Sequence, residues 1–243
     1  MLIRRLIVLA AAAAAFAGAR AAHAQTGTCT PITSLPFTTT TAGPYCLTGN
    51  LTFADNSPVG ATPAITVGFS GALIDFNGYR LVYNGGLTSY NPAIRVLAGN
   101  SNVVIRNGLI SSFGTGVETF SAGTIVEDMR FYDNGRTTGT GVMIQDGADG
   151  AIVRRCYIRS SRTGIFVVAS EARIVDNDIY GSDTFRDIGI LAAADNTFVV
   201  GNRLGRLNEG IRYDTGNSGK YRDNLTSNVT TPYNGGTNAG NNN

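Results

Sequence analysis

The chain has no tryptophan, one histidine and one lysine among its 243 residues. The histidine, His23, lies in a segment with the form of an export signal. Arg4 and Arg5 precede an apolar run from Leu6 to Ala19, and Ala22-His23-Ala24 supplies a small-x-small cleavage site. Residues 1–24 are therefore expected to be removed, placing the mature protein in the periplasm or outside the cell. A mature chain without imidazole cannot run a Ser-His-Asp or Cys-His mechanism, nor build an imidazole-ligated zinc centre. Without tryptophan, an aromatic platform for sugars has to use Tyr or Phe. Arg20 interrupts the apolar run before the ~20 residues that a membrane span requires, so no span is expected after cleavage. Cleavage also removes Arg4, Arg5 and Arg20, leaving 16 cations against 17 carboxylates and shifting the formal charge from +2 to −1. That balance argues against nucleic acid or an anionic membrane surface as a partner.

Cysteine is scarce as well, with three residues and no C-x-x-C spacing, which argues against a redox or metal-thiolate role. Cys29 and Cys46 flank the opening segment of an exported chain, where disulfides persist. A bridge between them would close a loop worth ~3 kcal/mol on the chain-entropy estimate.

Amphipathic helical periodicity is missing beyond the signal. What replaces it is a repeat that recurs about seven times between Ala64 and Leu225. It is most legible at Gly116-Val117, Gly141-Val142, Gly164-Ile165, Gly189-Ile190 and Gly210-Ile211, at steps of 25, 23, 25 and 21 residues. Each Gly-Ile/Val start leads into alternating apolar residues, a turn, a second β-branched run such as Val103-Val104-Ile105, and a polar return. Alternation with period two means strand, and a repeat of this length supplies the short strands and turns of one solenoid coil. The expected fold is all-β: a single-domain parallel β-helix of about seven coils with an N-terminal cap. Residues 25–62 are assigned to the cap, 63–225 to the coils, and 226–243 to an Asn/Gly/Thr-rich tail too polar to build core and partly disordered.

A second register supports the stack. Asn107, Met129, Cys156, Asn177, Asn202 and Asn224 follow the later strand at steps of 22, 27, 21, 25 and 22. Inward asparagines both donate and accept, so stacked copies can satisfy one another in a ladder. Met129 and Cys156 interrupt that column as an apolar pair, which makes Cys156 a buried, space-filling thiol.

The segments Pro31–Phe37 and Gly43–Thr52, followed by Ile74-Asp75-Phe76-Asn77-Gly78-Tyr79-Arg80-Leu81 and Val104-Ile105-Arg106-Asn107-Gly108, resemble the entry and first coils of the pectate-lyase-like right-handed parallel β-helix superfamily. The resemblance covers nearly all of the mature chain and rests on caps, core and turns. It implies a right-handed helix of parallel strands, export, and frequent association with polysaccharides.

If Ile94, Val117, Val142, Ile165, Ile190 and Ile211 point inward, Arg95, Glu118, Met143, Phe166, Leu191 and Arg212 stack outward. Leu97, Phe120, Gln145, Val168, Ala193 and Asp214 share that face two residues on. In polysaccharide-cleaving members this sheet floors a charged cleft. Here its centre is apolar, and Phe120, Met143, Phe166, Val168 and Leu191 form a candidate interface for the tail, a second subunit or a glycan face. Glu118 is expected to pair with Arg95, and no two carboxyl groups face each other as a glycosidase requires.

Exported lyases of the superfamily typically use calcium with an arginine base, and Asp149, Glu171 and Asp195 occupy comparable turn positions on successive coils as a candidate calcium site. A candidate substrate edge gathers Asp133, Arg136, Arg162, Asp183, Arg186 and Asp187 on the two longest returns, where Arg and Asp suit sugar hydroxyls or uronates. No catalytic residue is assigned. The leading reading is an exported β-helix that binds a polysaccharide or another envelope component without catalysis and without an obligatory cofactor. Its alternatives are a small polysaccharide lyase and a self-assembling structural module.

Overall fold

The computed structural model describes residues 28–54, 62–85, 91–134, 139–159, 161–182 and 187–243. Residues 1–24, expected to be cleaved, lie outside the described residues, as do Arg136, Asp183 and Arg186.

Every strand pairs in parallel with its counterpart one coil away, so successive coils stack into three sheets. In the first sheet Phe37–Thr38, Ile65–Val67, Pro92–Val96, Thr115–Thr119, Thr140–Ile144, Thr163–Val167, Ile188–Ala192 and the end of Arg203–Tyr213 lie side by side. The register Ile94, Val117, Val142, Ile165, Ile190, Ile211 matches the repeat. All six are fully buried, because strand alternation turns them to the axis while their neighbours face out.

The recurring glycines have a steric cause. A Cβ on Gly164 would lie 2.5 Å from the carbonyl oxygen of Gly189, and one on Gly189 would lie 2.6 Å from that of Gly210. Adjacent coils approach too closely there for any side chain. The glycine column thus marks where the chain enters the first sheet.

Between the second and third sheets the chain bends at residues with positive φ, namely Asn107, Asp128, Arg155, Asp176, Gly201, Asp223 and Asn241. The residue after each bend points inward. Asn177 donates from its backbone N–H and from Nδ2 to Oδ1 of Asn202, both at 3.0 Å, and Asn202 makes the same pair of bonds to Asn224. Cys156 joins the column through its N–H, 2.9 Å from Oδ1 of Asn177. The column departs from expectation at its start: Asn107 occupies the exposed bend, and Gly108 pairs with Met129 at the inward position.

Both ends differ from their assignments. Residues assigned to a cap already form coils, since Thr30–Ile32 pairs with Pro44–Leu47, which pairs with Leu73–Asp75, and Leu51–Phe53 pairs with Arg80–Tyr83. Cys29 and Cys46 form a disulfide there, with Cα atoms 5.8 Å apart. The segment 226–243, expected to be a partly disordered tail, instead continues the stack. Leu225–Asn234 runs in register along Arg203–Tyr213, and Thr237–Asn238 pairs with Gly219–Arg222. Asn224 donates from its N–H and Nδ2 to Oδ1 of Asn242, each at 3.1 Å, extending the ladder by one rung. Its polar composition fits because the rung is exposed on its outer side and needs backbone pairing rather than core.

Candidate functional site

On the outer face of the first sheet the charges neutralise one another. Arg95 Nε lies 2.7 Å from Oε2 of Glu118, the expected pair, and Gln145 Nε2 donates to the other Glu118 oxygen at 2.9 Å. At the C-terminal end Arg212 lies between two carboxylates: Nη1 donates to Oε1 of Glu209 at 3.2 Å, and Nε is 3.2 Å from Oδ1 of Asp214, an ion pair without hydrogen-bond alignment. Asn234 Nδ2 adds a bond of 3.3 Å to Glu209. Glu209 escaped the sequence reading because it precedes the Gly210 signal by one residue. Between these groups stand Met143, Phe166 and Leu191 in one column, with Phe120 and Val168 in the next. All five are half-buried, covered by their neighbours at the ~4.8 Å spacing of adjacent strands. At the edge of this strip Leu97 is more open, at 40% exposed.

The candidate substrate edge is divided by the structure. Asp187 is only 3% exposed, and its Oδ2 accepts from the N–H and Oγ of Ser182 at 2.7 and 2.9 Å. Buried Asn134 likewise accepts the Phe113 N–H at 3.1 Å. Asp187 is therefore corrected from a ligand-facing residue to a buried acceptor for Ser182. Asp133 is half-buried at a bend and Arg162 is exposed.

The three candidate calcium ligands do not converge. Asp149 aligns with Ser170, whose N–H it accepts at 2.9 Å, and Asp195 accepts from the N–H and Oγ of Ser218 at 2.7 and 2.9 Å. Those bonds hold the Asp195 carboxyl below its ordinary range. Glu171 sits one position away, at a positive-φ bend, beside an open depression of about 500 Å³ lined by Gly150, Ile152, Glu171, Arg173, Asn196 and Phe198. Among the described residues no three His, Cys, Asp or Glu side chains are grouped to hold a metal. This donor set does not fit calcium, which takes six to eight converging oxygens.

Two further faces carry side chains that the sequence reading did not single out. On the second sheet, Asp75, Arg106, Glu127 and Arg154 stack as a ladder of alternating charge. Arg106 Nε lies 2.9 Å from Asp75, and Glu127 accepts from Arg154 and Arg155 at 2.7 and 2.8 Å. Arg155 also forks onto Asp128, which holds its guanidinium firmly protonated. On the third sheet, two outward columns carry arginine and tyrosine as neighbours, and one of them runs on from Tyr157 to Asp178 and Arg203, an ion pair at 3.3 Å. Arg130 neighbours Tyr157, Tyr132 neighbours Arg159, and Arg159 neighbours Tyr180. The rings of Tyr132, Tyr157 and Tyr180 follow one another at 5.5 and 5.9 Å between centroids.

Residues 46–204 and 92–243 match the family model described as right-handed β-helix region, and together they span most of the chain. The chain belongs to the right-handed β-helix family. No curated protein matches it. Among solved structures, this β-helix is similar to an alginate lyase from Paenibacillus sp. str. FPU-7, with a TM-score of 0.57 and 14% identity over 82% of this chain and 76% of that one. It is also similar to the tailspike protein of E. coli bacteriophage HK620. One structure of a double mutant gives a TM-score of 0.59 and 14% identity over 76% of this chain. A second, in complex with a pentasaccharide, gives the same three values. The β-helix spans 39% and 38% of those two tailspike chains. At such identity the likeness carries the fold alone. Among the described residues no helix is long and apolar enough to cross a membrane.

Proposed function

We propose that this protein is an exported right-handed β-helix that binds a polysaccharide or another cell-envelope component without cleaving it. The observation that carries this reading is the outer face of the first sheet. Its charged groups are engaged with one another at both ends, Arg95 with Glu118 and Arg212 with Glu209 and Asp214, and the stretch between them is Met143, Phe166, Val168 and Leu191. Hydrolysis of a glycosidic bond by the usual route needs two carboxyl groups across the bond. A face of half-buried apolar side chains offers contact area and no proton transfer. The polysaccharide class is supported by the fold shared with an alginate lyase and with a tailspike seen bound to a pentasaccharide.

The test is affinity electrophoresis of the mature protein through gels containing acidic or neutral polysaccharides. Retardation by at least one is expected, and unretarded migration in all of them would sink the reading. Export is tested by N-terminal sequencing of the protein recovered outside the cytoplasm, which should begin at Gln25.

A second reading, a small carbohydrate-active enzyme, draws on one feature: Glu209 and Asp214 flank Arg212 on the same face. Chain cleavage that is lost in both Glu209→Gln and Asp214→Asn would favour it.

A further inference from the structure

We infer that the outer face of the third sheet, built from Arg130, Tyr132, Tyr157, Arg159 and Tyr180, is a binding strip for an anionic glycan chain running along the helix axis. The inference rests on the polysaccharide-binding reading and adds to it a location and a ligand charge.

The first support is the state of the arginines. Arg95, Arg106, Arg154 and Arg155 on the other two sheets, and Arg203 on the third, each meet a carboxylate one coil away, whereas exposed Arg173 on the second sheet forms no ion pair among the described residues. Arg130 and Arg159 are exposed and form no ion pair among the described residues. Their lateral neighbours are tyrosines instead, Arg130 beside Tyr157 and Arg159 between Tyr132 and Tyr180. A guanidinium in that position keeps its fork of donors for a planar anion, and carboxylate or sulfate groups on sugars provide one.

Ring geometry gives the second support. Tyr132, Tyr157 and Tyr180 form a continuous ramp over three coils, successive planes inclined by 41° and 35°. None of their hydroxyls has a hydrogen-bond partner among the described residues. Tyr180 lies over Gly205, where a Cβ would come within 2.8 Å of ring Cε1. The ring therefore occupies room that any larger residue on the next coil would claim. Half-buried tyrosines with free hydroxyls present apolar faces for sugar C–H groups and donors for sugar oxygens. Arg130 and Arg159 favour charged chains over neutral ones, since the neighbouring Asp178 is neutralised by Arg203, and their placement beside the tyrosines sets anion contacts next to stacking contacts.

Single-stranded nucleic acid also uses aromatic and cationic groups, so it belongs in the test as a competing ligand. The mature protein is assayed by biolayer interferometry against immobilised alginate oligosaccharides, their carboxyl-reduced neutral counterparts, dextran sulfate, dextran and a single-stranded oligonucleotide. Preference for alginate or dextran sulfate over its neutral partner is expected, and which of the two is stronger assigns the anion as carboxylate or sulfate. Arg130→Ala and Arg159→Ala should each weaken that binding about tenfold or more, and Tyr157→Ala should weaken it as well. All three sites are on the surface, and unchanged circular dichroism verifies that the fold is kept. Binding that ignores these substitutions but is lost in Phe166→Ser overturns the strip and leaves polysaccharide binding standing. Binding to no glycan removes both. Equal or tighter binding of the oligonucleotide, or no preference for charged chains, overturns the ligand class.

Discussion

Oδ1 of Asn202 accepts two hydrogen bonds from Asn177, one from the backbone N–H and one from Nδ2, each at 3.0 Å. Both residues are fully buried; Asn177 Nδ2 also donates to the Val153 carbonyl at 3.0 Å, so the backbone N–H is the donor that depends on this oxygen. Asn202→Leu should leave the Asn177 N–H without its acceptor and the buried Ile174 carbonyl without the Asn202 Nδ2 donor, at a cost of roughly 1–3 kcal/mol each. Urea unfolding should show a loss of about 2–5 kcal/mol on that same estimate. A loss under about 1 kcal/mol would mean that the ladder is not what holds the corner.

Gly164→Ala places a methyl group against the Gly189 carbonyl, at a separation no Cβ tolerates, and backbone on both coils has to shift. Overpacking of this kind costs about 1–3 kcal/mol or more. Gly49→Ala serves as the comparison, because nothing lies within 4 Å of its added Cβ. Thermal melts should separate the two variants clearly. Equal melting temperatures would contradict the close approach of coils.

Removing residues 235–243 deletes Thr237–Asn238 and the last rung of the ladder at Asn242. Truncation should lower stability by roughly 1–3 kcal/mol, as the Asn224 N–H loses its acceptor while Nδ2 keeps the Val199 and Arg222 carbonyls. Hydrogen exchange offers the sharper check, since the Asn224 amide should lose protection. A truncated chain with unchanged protection would restore the view that 226–243 is an appended tail.

Cys156 is 2% exposed, and burial pushes its thiol up to about 12. The folded protein therefore holds this proton more tightly than the unfolded chain. The associated stability is fully present below the ordinary thiol range and is lost as pH rises from about 9 towards 12, at about 1.4 kcal/mol per unit for this group. Cys156→Ala should flatten the alkaline arm of the stability profile by that slope. Buried Tyr213 shifts in the same direction, so a residual decline should persist. Reaction of the native thiol with a maleimide at pH 8 should be negligible until denaturant is added, and rapid labelling would contradict its burial.

Much of the core was legible in the sequence because one signal repeats. Gly-Ile/Val pairs identify both the entry to the first sheet and its inward residues, and five-residue strands are long enough for alternation to separate the faces. The third sheet is harder to read because Tyr157–Arg159 and Asp178–Tyr180 have three residues each, too few for a pattern. The steps from Tyr132 to Tyr157 to Tyr180, 25 and 23 residues, nonetheless carry the same period. Asn107 misled because asparagine suits both the left-handed bend and the inward position beside it. Asp187 misled because a charged residue ending a long return looks solvated, and only the fold reveals the Ser182 turn that it satisfies. Asn242 was hidden in a polar run whose composition resembles a disordered tail.

The central claim is binding without cleavage on the outside of a solenoid. It is tested most directly by incubating the mature protein with a polysaccharide that retards it, then measuring bound fraction and chain length in the same sample. Saturable binding with the length distribution unchanged after prolonged incubation is the predicted result. Progressive shortening of the bound chain, abolished by Glu209→Gln, would contradict it.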